Sequence, residues 1–359
     1  MKIAVIMGGR SGEHHVSLRS ASYIMDSLIQ AGHTVLPIGI TNDGDWLQHP
    51  DILGMFTEDG DLSRAAKVFL DLSFQGQGLV CNGEPLDIDL VFPVLHGPFG
   101  EDGTVQGALE LAGIPYVGSG ILGSAVAMDK AQMKAAFRNY NLPLGSYIAF
   151  NQWEWQQSRQ SLLDRVEERL GWPVFVKPAN LGSSVGISKA SGDKDFLEAV
   201  EIALHYDYKI IVEEEIRGRE VEIAVLGNEN PRASMPGEII PVNEFYDYKA
   251  KYIDQGSRLL IPADLEEAVS DRARELAVAA FKAVDALGLA RVDMFITPQG
   301  GVVINEINTM PGFTAISMYP KLWEHSGISG PDLVNTLVNL GLSWHNRRLK
   351  LQHKFEEDC

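Results

Sequence analysis

The apolar residues at the start of the chain fall in short blocks closed by glycine. MKIAVIMGG predicts a buried strand. SGEHHVSLRSASYIMDSLIQAG predicts a helix with Ala21, Ile24, Leu28 and Ile29 on one face and Gly32 as its stop. HTVLPIGI and DIDLVFPVLHG predict two further strands, GTVQGALELAG a helix ended by Gly113, and IPYVG a short strand. Residues 42–86 are polar, irregular and Gly-rich, and are expected to form an elaborated connection. Strands alternating with helices imply a parallel sheet as far as about Gly118.

The pattern then changes. DKAQMKAAFRNYNLP predicts a helix with Asp129 as N-cap and Pro143 past its end. WPVFVKPA, VGISKA and YKIIVEEEI read as strands, and residues 151–170 as a solvated helix. EVEIAVLG follows as a strand, then a long loop from Glu238 to Pro262 and a helix from Asp264 to Leu287. A terminal helix is entered through Pro331. The expected fold class is α/β and α+β. A Rossmann-like unit would occupy residues 1–118, a central unit 119–213 and a C-terminal unit 214–359.

The segment ARVDMFITPQGGVVINEINTMPGFT predicts two strands and a tight turn at PQGG. Side chains alternate along a strand, so Arg291 and Asp293 share a face, as do Glu306 and Asn308. Closure about Gln299–Gly300 sets Arg291 against Asn308 and Asp293 against Glu306. Opposed carboxylates repel unless positive charge lies between them. Carboxylate and amide oxygens suit a hard ion such as Mg²⁺, and the neighbouring arginine suits a phosphate. A solvated hairpin with one polar face is the competing reading.

Four other stretches could carry chemistry. FVKPANLGSSVGISK delivers Lys177 from a strand into the small-residue loop Gly182–Gly186, where backbone N–H groups could approach phosphate oxygens. An ordinary β-turn with a surface lysine is the alternative. Against it stands the apolar strand, in which a lysine needs a counter-charge. In KIIVEEEIRGREVEI, Glu213 and Glu215 share a face and Glu214 takes the other. One carboxylate could accept from an adenine amine and Glu220 could hold a ribose hydroxyl, or the run is simply solvated. EFYDYKAKYIDQG, with Tyr252, is either a lid or a loop packed on its own domain. IMGGRSGEHHVS is a strand-to-helix turn without G-x-G-x-x-G, and Asp43 is a poor acid for NAD. Glu13 is better read as a ligand for an ammonium group, or as charge complementing the helix dipole. His14 and His15 are expected at the surface and His96 in a cleft.

Composition narrows the partners. The chain has 359 residues, which implies two or three domains, and 45% are hydrophobic, enough for sizeable cores. A net charge of −18 argues against nucleic acid and against an anionic membrane surface. It leaves room for an anionic small molecule held by local lysine, arginine and Mg²⁺. Two cysteines, Cys81 and Cys359, support neither a disulfide framework nor a Cys-rich metal site. The apolar start IAVIM is too short for a signal segment and no run reaches membrane-spanning length, so the cytoplasm is the expected home.

In order along the chain, GGRSGEHHVS, LHGPFGEDGTVQG, PYVGSG, MDK, KPANLGSSVGISK, VEEEIRGRE, YDYKAKY, ARVD and NEINTMPGFT together resemble the D-alanine–D-alanine ligases of the ATP-grasp family. The resemblance implies an ATP-grasp fold behind the Rossmann-like unit. It implies ATP-dependent joining of two D-alanine molecules through an acyl phosphate, releasing ADP and phosphate, in the synthesis of cell-wall peptidoglycan precursor. Lys130 and Lys177 would hold ATP phosphates under the loop of Gly182, Ser183 and Ser184. Glu213 and the backbone of Glu214 to Ile216 would take adenine, and Glu220 the ribose. Asp293, Glu306 and Asn308 would bind two Mg²⁺ ions, for which Mn²⁺ could substitute. Glu13 would bind the first D-alanine's ammonium and join Ser183 and Tyr252 in a triad, with His96 beside the substrates. Arg291 and the Gly312 N–H would stabilise the oxyanion. Ser317 and the Met318 backbone would hold the second carboxylate. Tyr252 stands where ligases accepting D-lactate typically carry histidine, which favours D-alanine. A homodimer through the N-terminal unit is also implied.

Three rival readings have their own signatures. Another ATP-grasp carboxylate–amine ligase would keep the ATP site and change Glu13, Ser183 and Tyr252. An NAD-dependent oxidoreductase would need the absent G-x-G-x-x-G. A non-catalytic nucleotide-binding protein would have lost Asp293, Glu306 or Arg291, and all are present.

Overall fold

The computed structural model describes residues 1–58, 60–74, 76–240 and 258–352. Its first sheet begins with β1 (Lys2–Gly8), helix α1 (His14–Gln30) and β2 (Thr34–Ile40). The expected irregular connection is instead built. It holds β3 (Trp46–Gln48), α2 (Ile52–Thr57), β4 (Ala66–Leu70), β5 (Leu79–Cys81) and β6 (Glu84–Pro85), ahead of β7 (Leu90–Val94). The order is β6-β5-β4-β3-β2-β1-β7. β1 pairs in parallel with β2 and β7, and the added strands pair antiparallel. The added strands are too short for an alternating pattern to stand out. α3 (Thr104–Ala112) stops at Gly113 as expected. IPYVG makes only a bridge from Tyr116 to Val91, not a strand. Along α1, Ala21, Ile24 and Leu28 are buried while Ile29 is 58% exposed. It sits one residue, about 100°, off the stripe that Leu28 continues.

The second sheet follows α4 (Ile121–Met128) and α5 (Lys130–Asn139). The Asp129 carboxylate caps α5 by accepting from the N–H groups of Ala131 and Gln132. Next come β8 (Tyr147–Asn151), α6 (Gln152–Arg169), β9 (Val174–Pro178), β10 (Ser188–Ala190), α7 (Asp193–Leu204) and β11 (Lys209–Glu214), in sheet order β10-β9-β11-β8. α6 is not wholly solvated: Trp155, Leu162, Leu163 and Val166 form a buried stripe.

The third sheet comprises β12 (Arg219–Gly227), β13 (Arg232–Ala233), β14 (Gly237–Ile240), β15 (Arg258–Leu260), β16 (Gly288–Ile296) and β17 (Val302–Asn308). α8 (Glu267–Ala283) precedes β16, and α9 (Met318–His325) and α10 (Gly330–Arg348) follow β17. Packing does not follow chain order. Met133 and Phe137 of α5 share a core with Val292, Ile304 and Phe281, while Leu18 and Ile24 of α1 share one with Phe313, Trp323 and Leu337. Helices α1 and α5 are thus both packed onto the third sheet's side of the molecule, while the second sheet keeps a core of its own.

Candidate active site

A cleft of about 540 Å³ lies between the second and third sheets. Lys177 enters it from β9 and Glu213 from the adjacent β11. The two pair directly, which supplies the counter-charge that a lysine in an apolar strand requires. A second ammonium, Lys134 of α5, lies 2.8 Å from the other Glu213 oxygen. Burial alone would raise the Glu213 pKa, but Lys134 and Lys177 more than offset it and hold the group at about 2. Burial would likewise lower the Lys177 pKa, and Glu213 and Glu306 raise it instead. The Glu214 carboxylate accepts from the Ser146 N–H at 2.6 Å.

The hairpin of β16 and β17 forms the opposite wall. Arg291 faces Asn308 and Asp293 faces Glu306, as alternation predicts, but the closure differs. Thr297 and Gly301 bond across a three-residue turn, Pro298 to Gly300, with Gly300 at φ +78° supplying the left-handed position. That turn would set Met294 against Ile304 and Asp293 against Asn305. A bulge between Asp293 and Met294 absorbs Asn305 and restores Glu306 to its place opposite Asp293. The apolar spacing records it: Val302, Ile304 and Ile307 all enter the core, two apart and then three. Strict alternation would have buried Glu306 beside Ile304.

The cleft face of the third sheet carries a row of carboxylates. Glu222 on β12 is opposite Asp293, which is opposite Glu306. Arg291 bonds both Asp293 oxygens, each at 2.7 Å, and its Nε lies 3.0 Å from Glu222. Asn308 donates to Asp293 at 3.1 Å. Lys130 reaches to 3.6 Å from Glu306 and donates to the Leu181 carbonyl at 2.8 Å, ahead of the glycine–serine loop. Among the described residues no group of three His, Cys, Asp or Glu side chains has the form of a complete metal site. The donors present are two carboxylates and an amide, hard oxygens that suit Mg²⁺ or Mn²⁺ with phosphate and water completing the shell. The residues therefore fit such an ion.

The first sheet meets the cleft at the glycine–serine loop. Glu13, buried at the start of α1, accepts from the Ser183 hydroxyl. Ser183 and Ser184 both have left-handed backbones, φ +52° and +58°, at roughly 1–2 kcal/mol each. A Cβ on Gly97 or Gly182 would lie 2.6 or 2.9 Å from Glu13 Oε2 and would push on this carboxylate, and Gly97 also holds a left-handed φ of +74°. His96 is buried, with Nδ1 donating to the Met310 carbonyl at 2.9 Å and Nε2 accepting from the Ser20 hydroxyl at 3.0 Å. Burial lowers its pKa and Glu13 only partly opposes that, so the ring is neutral. Ser20 also accepts from the Phe313 N–H at 3.2 Å, which ties the Met310–Phe313 segment, and Gly312 within it, to α1. Ser317 precedes α9, its hydroxyl accepting from the Thr314 N–H at 3.0 Å, and Met318 is buried.

Lys130, Lys177, Gly182, Ser183, Ser184, Glu213, Glu214, Ile216, Glu220 and Glu306 thus line one cleft. Glu13, His96 and Gly312 are not part of that lining, and Glu13 reaches it through its bond to Ser183. Tyr252 lies outside the described residues. His14, expected at the surface, is buried, its Nδ1 2.9 Å from the Gly9 carbonyl and its ring against Phe56. Three charged groups escaped the sequence reading. Lys134 repeats Lys130 at helical spacing and Glu222 repeats Glu220 at strand spacing. Glu101, in GEDG, accepts from the Gly97 N–H at 2.7 Å, and burial and Glu13 push its pKa up to about 8.

Two family models match, D-ala D-ala ligase N-terminus over residues 2–119 and D-ala D-ala ligase C-terminus over residues 136–339. The chain belongs to the D-ala D-ala ligase family. Curated family members include the D-alanine–D-alanine ligase of Natranaerobius thermophilus, 47% identical over 99% of each chain. That of Acetivibrio thermocellus is 49% identical over 97% of this chain and 98% of its own. The solved D-alanine–D-alanine ligase of Coxiella burnetii superposes with TM-score 0.85 at 35% identity over 98% of this chain and 97% of its own. The VanG D-Ala:D-Ser ligase of Enterococcus faecalis gives 0.86 at 36% identity over 95% and 99%. This D-ala D-ala ligase family member is an enzyme with the ATP-grasp fold.

Proposed function

We propose that the protein joins two D-alanine molecules at the expense of ATP. The observation that carries this is the meeting of Glu13 with Ser183 beside the cleft that holds Lys177 and Glu306. It puts an ammonium-binding carboxylate next to a phosphate-binding loop. A carboxylate does not condense with an amine at neutral pH unless activated. In this enzyme a carboxylate oxygen of the first D-alanine attacks the γ-phosphorus of ATP, and ADP leaves. The free amine of the second D-alanine then attacks the acyl carbon, and the tetrahedral adduct expels phosphate while the nitrogen gives up a proton.

Lys130, Lys177 and the N–H groups of Gly182 to Ser184 take the phosphates. Glu213 and the backbone of Glu214 to Ile216 take adenine, and Glu220 the ribose. The Lys134 and Lys177 pairings leave Glu213 an ionised acceptor. Asp293, Glu306 and Asn308 hold divalent metal, Mg²⁺ or Mn²⁺, which would screen charge on the transferring phosphoryl group. Arg291 and the Gly312 N–H serve the tetrahedral oxyanion. Glu13 takes the first ammonium, with His96 beside it, and Ser317 and Met318 the second carboxylate. Tyr252 completes the triad with Glu13 and Ser183, and the proton of the attacking amine passes to Tyr252 with Ser183 or to a substrate phosphate oxygen. A homodimer, and the cytoplasm as the compartment that supplies ATP, go with this reading. Among the described residues no helix is long and apolar enough to cross a membrane.

The test is ADP release with product mass, using D-alanine, L-alanine, and D-alanine with D-serine or D-lactate. Turnover on D-alanine alone, giving the dipeptide, is the expected result. Preference for D-serine as second substrate would move the reading toward the VanG relative. Turnover only with an unrelated acid–amine pair would keep the ATP site and overturn the substrate.

A further inference from the structure

Lys134 follows Lys130 by four residues on α5, so both side chains leave the same face of the helix. Their surroundings differ. Lys134 is only 3% exposed, and its Nζ holds partners from two sheets. One is Glu213 Oε1 on β11, at 2.8 Å, and the other the Asn305 carbonyl on β17, at 3.0 Å. Asn305 is the residue that the β16–β17 bulge absorbs. An absorbed residue falls outside the regular ladder, so its backbone needs a partner from elsewhere. Lys134 is that partner for the carbonyl, and the next residue along the chain is Glu306.

We propose that Lys134 is a positioning residue for both halves of the ATP and metal site. Its ammonium fixes the bulge that turns Glu306 and Asn308 toward Asp293. Its charge shares Glu213 with Lys177, so that Lys177 is not fully committed to that carboxylate and can turn to a phosphate. Without Lys134, the Asn305 carbonyl loses its donor and the hairpin relaxes where the metal ligands need fixed spacing. Among the described residues Lys177 is then left as the sole direct cation on a buried carboxylate, and it is drawn further onto it. The inference rests on reading the hairpin as the metal site.

The test is binding rather than turnover. Free Mn²⁺ is followed by electron paramagnetic resonance as it binds in the presence of a non-hydrolysable ATP analogue, for the parent, K134M and K134R. The expected result is a folded K134M, by circular dichroism, with Mn²⁺ bound about tenfold or more weakly, the loss typical when a group that orients metal ligands is removed. K134R, which can still donate to both partners, should recover most of it. K134M that binds Mn²⁺ like the parent and merely melts earlier would overturn the proposal, as would K134R binding as weakly as K134M. If K134M alone does not fold, K134M/E213Q is compared with E213Q, which controls for the contact of Glu213 with the nucleotide; the double variant lacks the stranded negative charge, still leaves the Asn305 carbonyl without its donor, and must bind Mn²⁺ about tenfold more weakly than E213Q. A parent that binds no Mn²⁺ would overturn the metal-site reading itself, a failure distinct from a parent that binds and a K134M that does not differ.

Discussion

Glu13 accepts a hydrogen bond from Ser183, 170 positions further along the chain. One residue begins the first helix of the first sheet, and the other lies in the loop after β9 of the second. In the proposed function the bond would join the substrate side of the cleft to the phosphate side. It also anchors a loop in which two successive non-glycine residues hold left-handed backbones.

Removing that bond should affect the first substrate more than the nucleotide. S183A leaves a buried carboxylate short of a donor, and hydrogen bonds to charged groups contribute about 1.5–3 kcal/mol. The KM for the first D-alanine should rise roughly 10- to 100-fold, with a smaller change for ATP. Steady-state kinetics with each substrate varied in turn checks this, and equal changes in both would contradict the proposed role of Glu13.

Arg291 spans Asp293 with two bonds and also meets Glu222. A lysine cannot reproduce that planar fork. R291K should therefore bind nucleotide nearly as well as the parent while kcat falls about 10²- to 10³-fold, the usual loss when an oxyanion donor is removed. Rapid-quench measurement of the chemical step separates this from slow product release. A kcat within a fewfold of the parent would remove Arg291 from the oxyanion role.

Glu101 sets a pH dependence of stability in the ligand-free protein. Burial and the neighbouring Glu13 raise its folded pKa from 4.5 to about 8. Between those values the unfolded chain is ionised and the folded one is protonated. The group's contribution is thus fully present below about pH 4.5 and is lost as pH rises through about 8. E101Q lacks this titration. Urea unfolding at pH 5, 6.5 and 8 in chelator should show E101Q gaining on the parent as pH rises, by at most about 1.4 kcal/mol per pH unit. A constant difference would mean that Glu101 is ionised throughout.

Much of this was legible in the sequence for identifiable reasons. The parallel core, β1 with β2 and β7, declares itself because buried parallel strands are continuous apolar runs. The pairing of Asp293 with Glu306 was also legible, although two effects had to cancel: a three-residue turn and the Asn305 bulge. The change of apolar spacing from Ile304 to Ile307 marked that bulge. The short strands between Trp46 and Pro85 were not legible, since two to five residues cannot display a period. Lys134 was missed because a lysine on a helix is ordinarily solvated, and only the approach of β11 and β17 shows it buried. His14 was misplaced for the same kind of reason: its burial depends on Phe56, which arrives from α2.

In the proposed reaction a carboxylate is activated by phosphorylation at this cleft and then captured by an amine. The most direct test uses D-alanine carrying ¹⁸O in both carboxylate oxygens, with mass analysis of the released phosphate. The attacking carboxylate oxygen becomes the bridging oxygen of the acyl phosphate and departs with phosphorus, so each phosphate should carry one ¹⁸O. Unlabelled phosphate formed alongside dipeptide would mean that ATP is cleaved without passing its phosphoryl group to the substrate, and would contradict activation through an acyl phosphate.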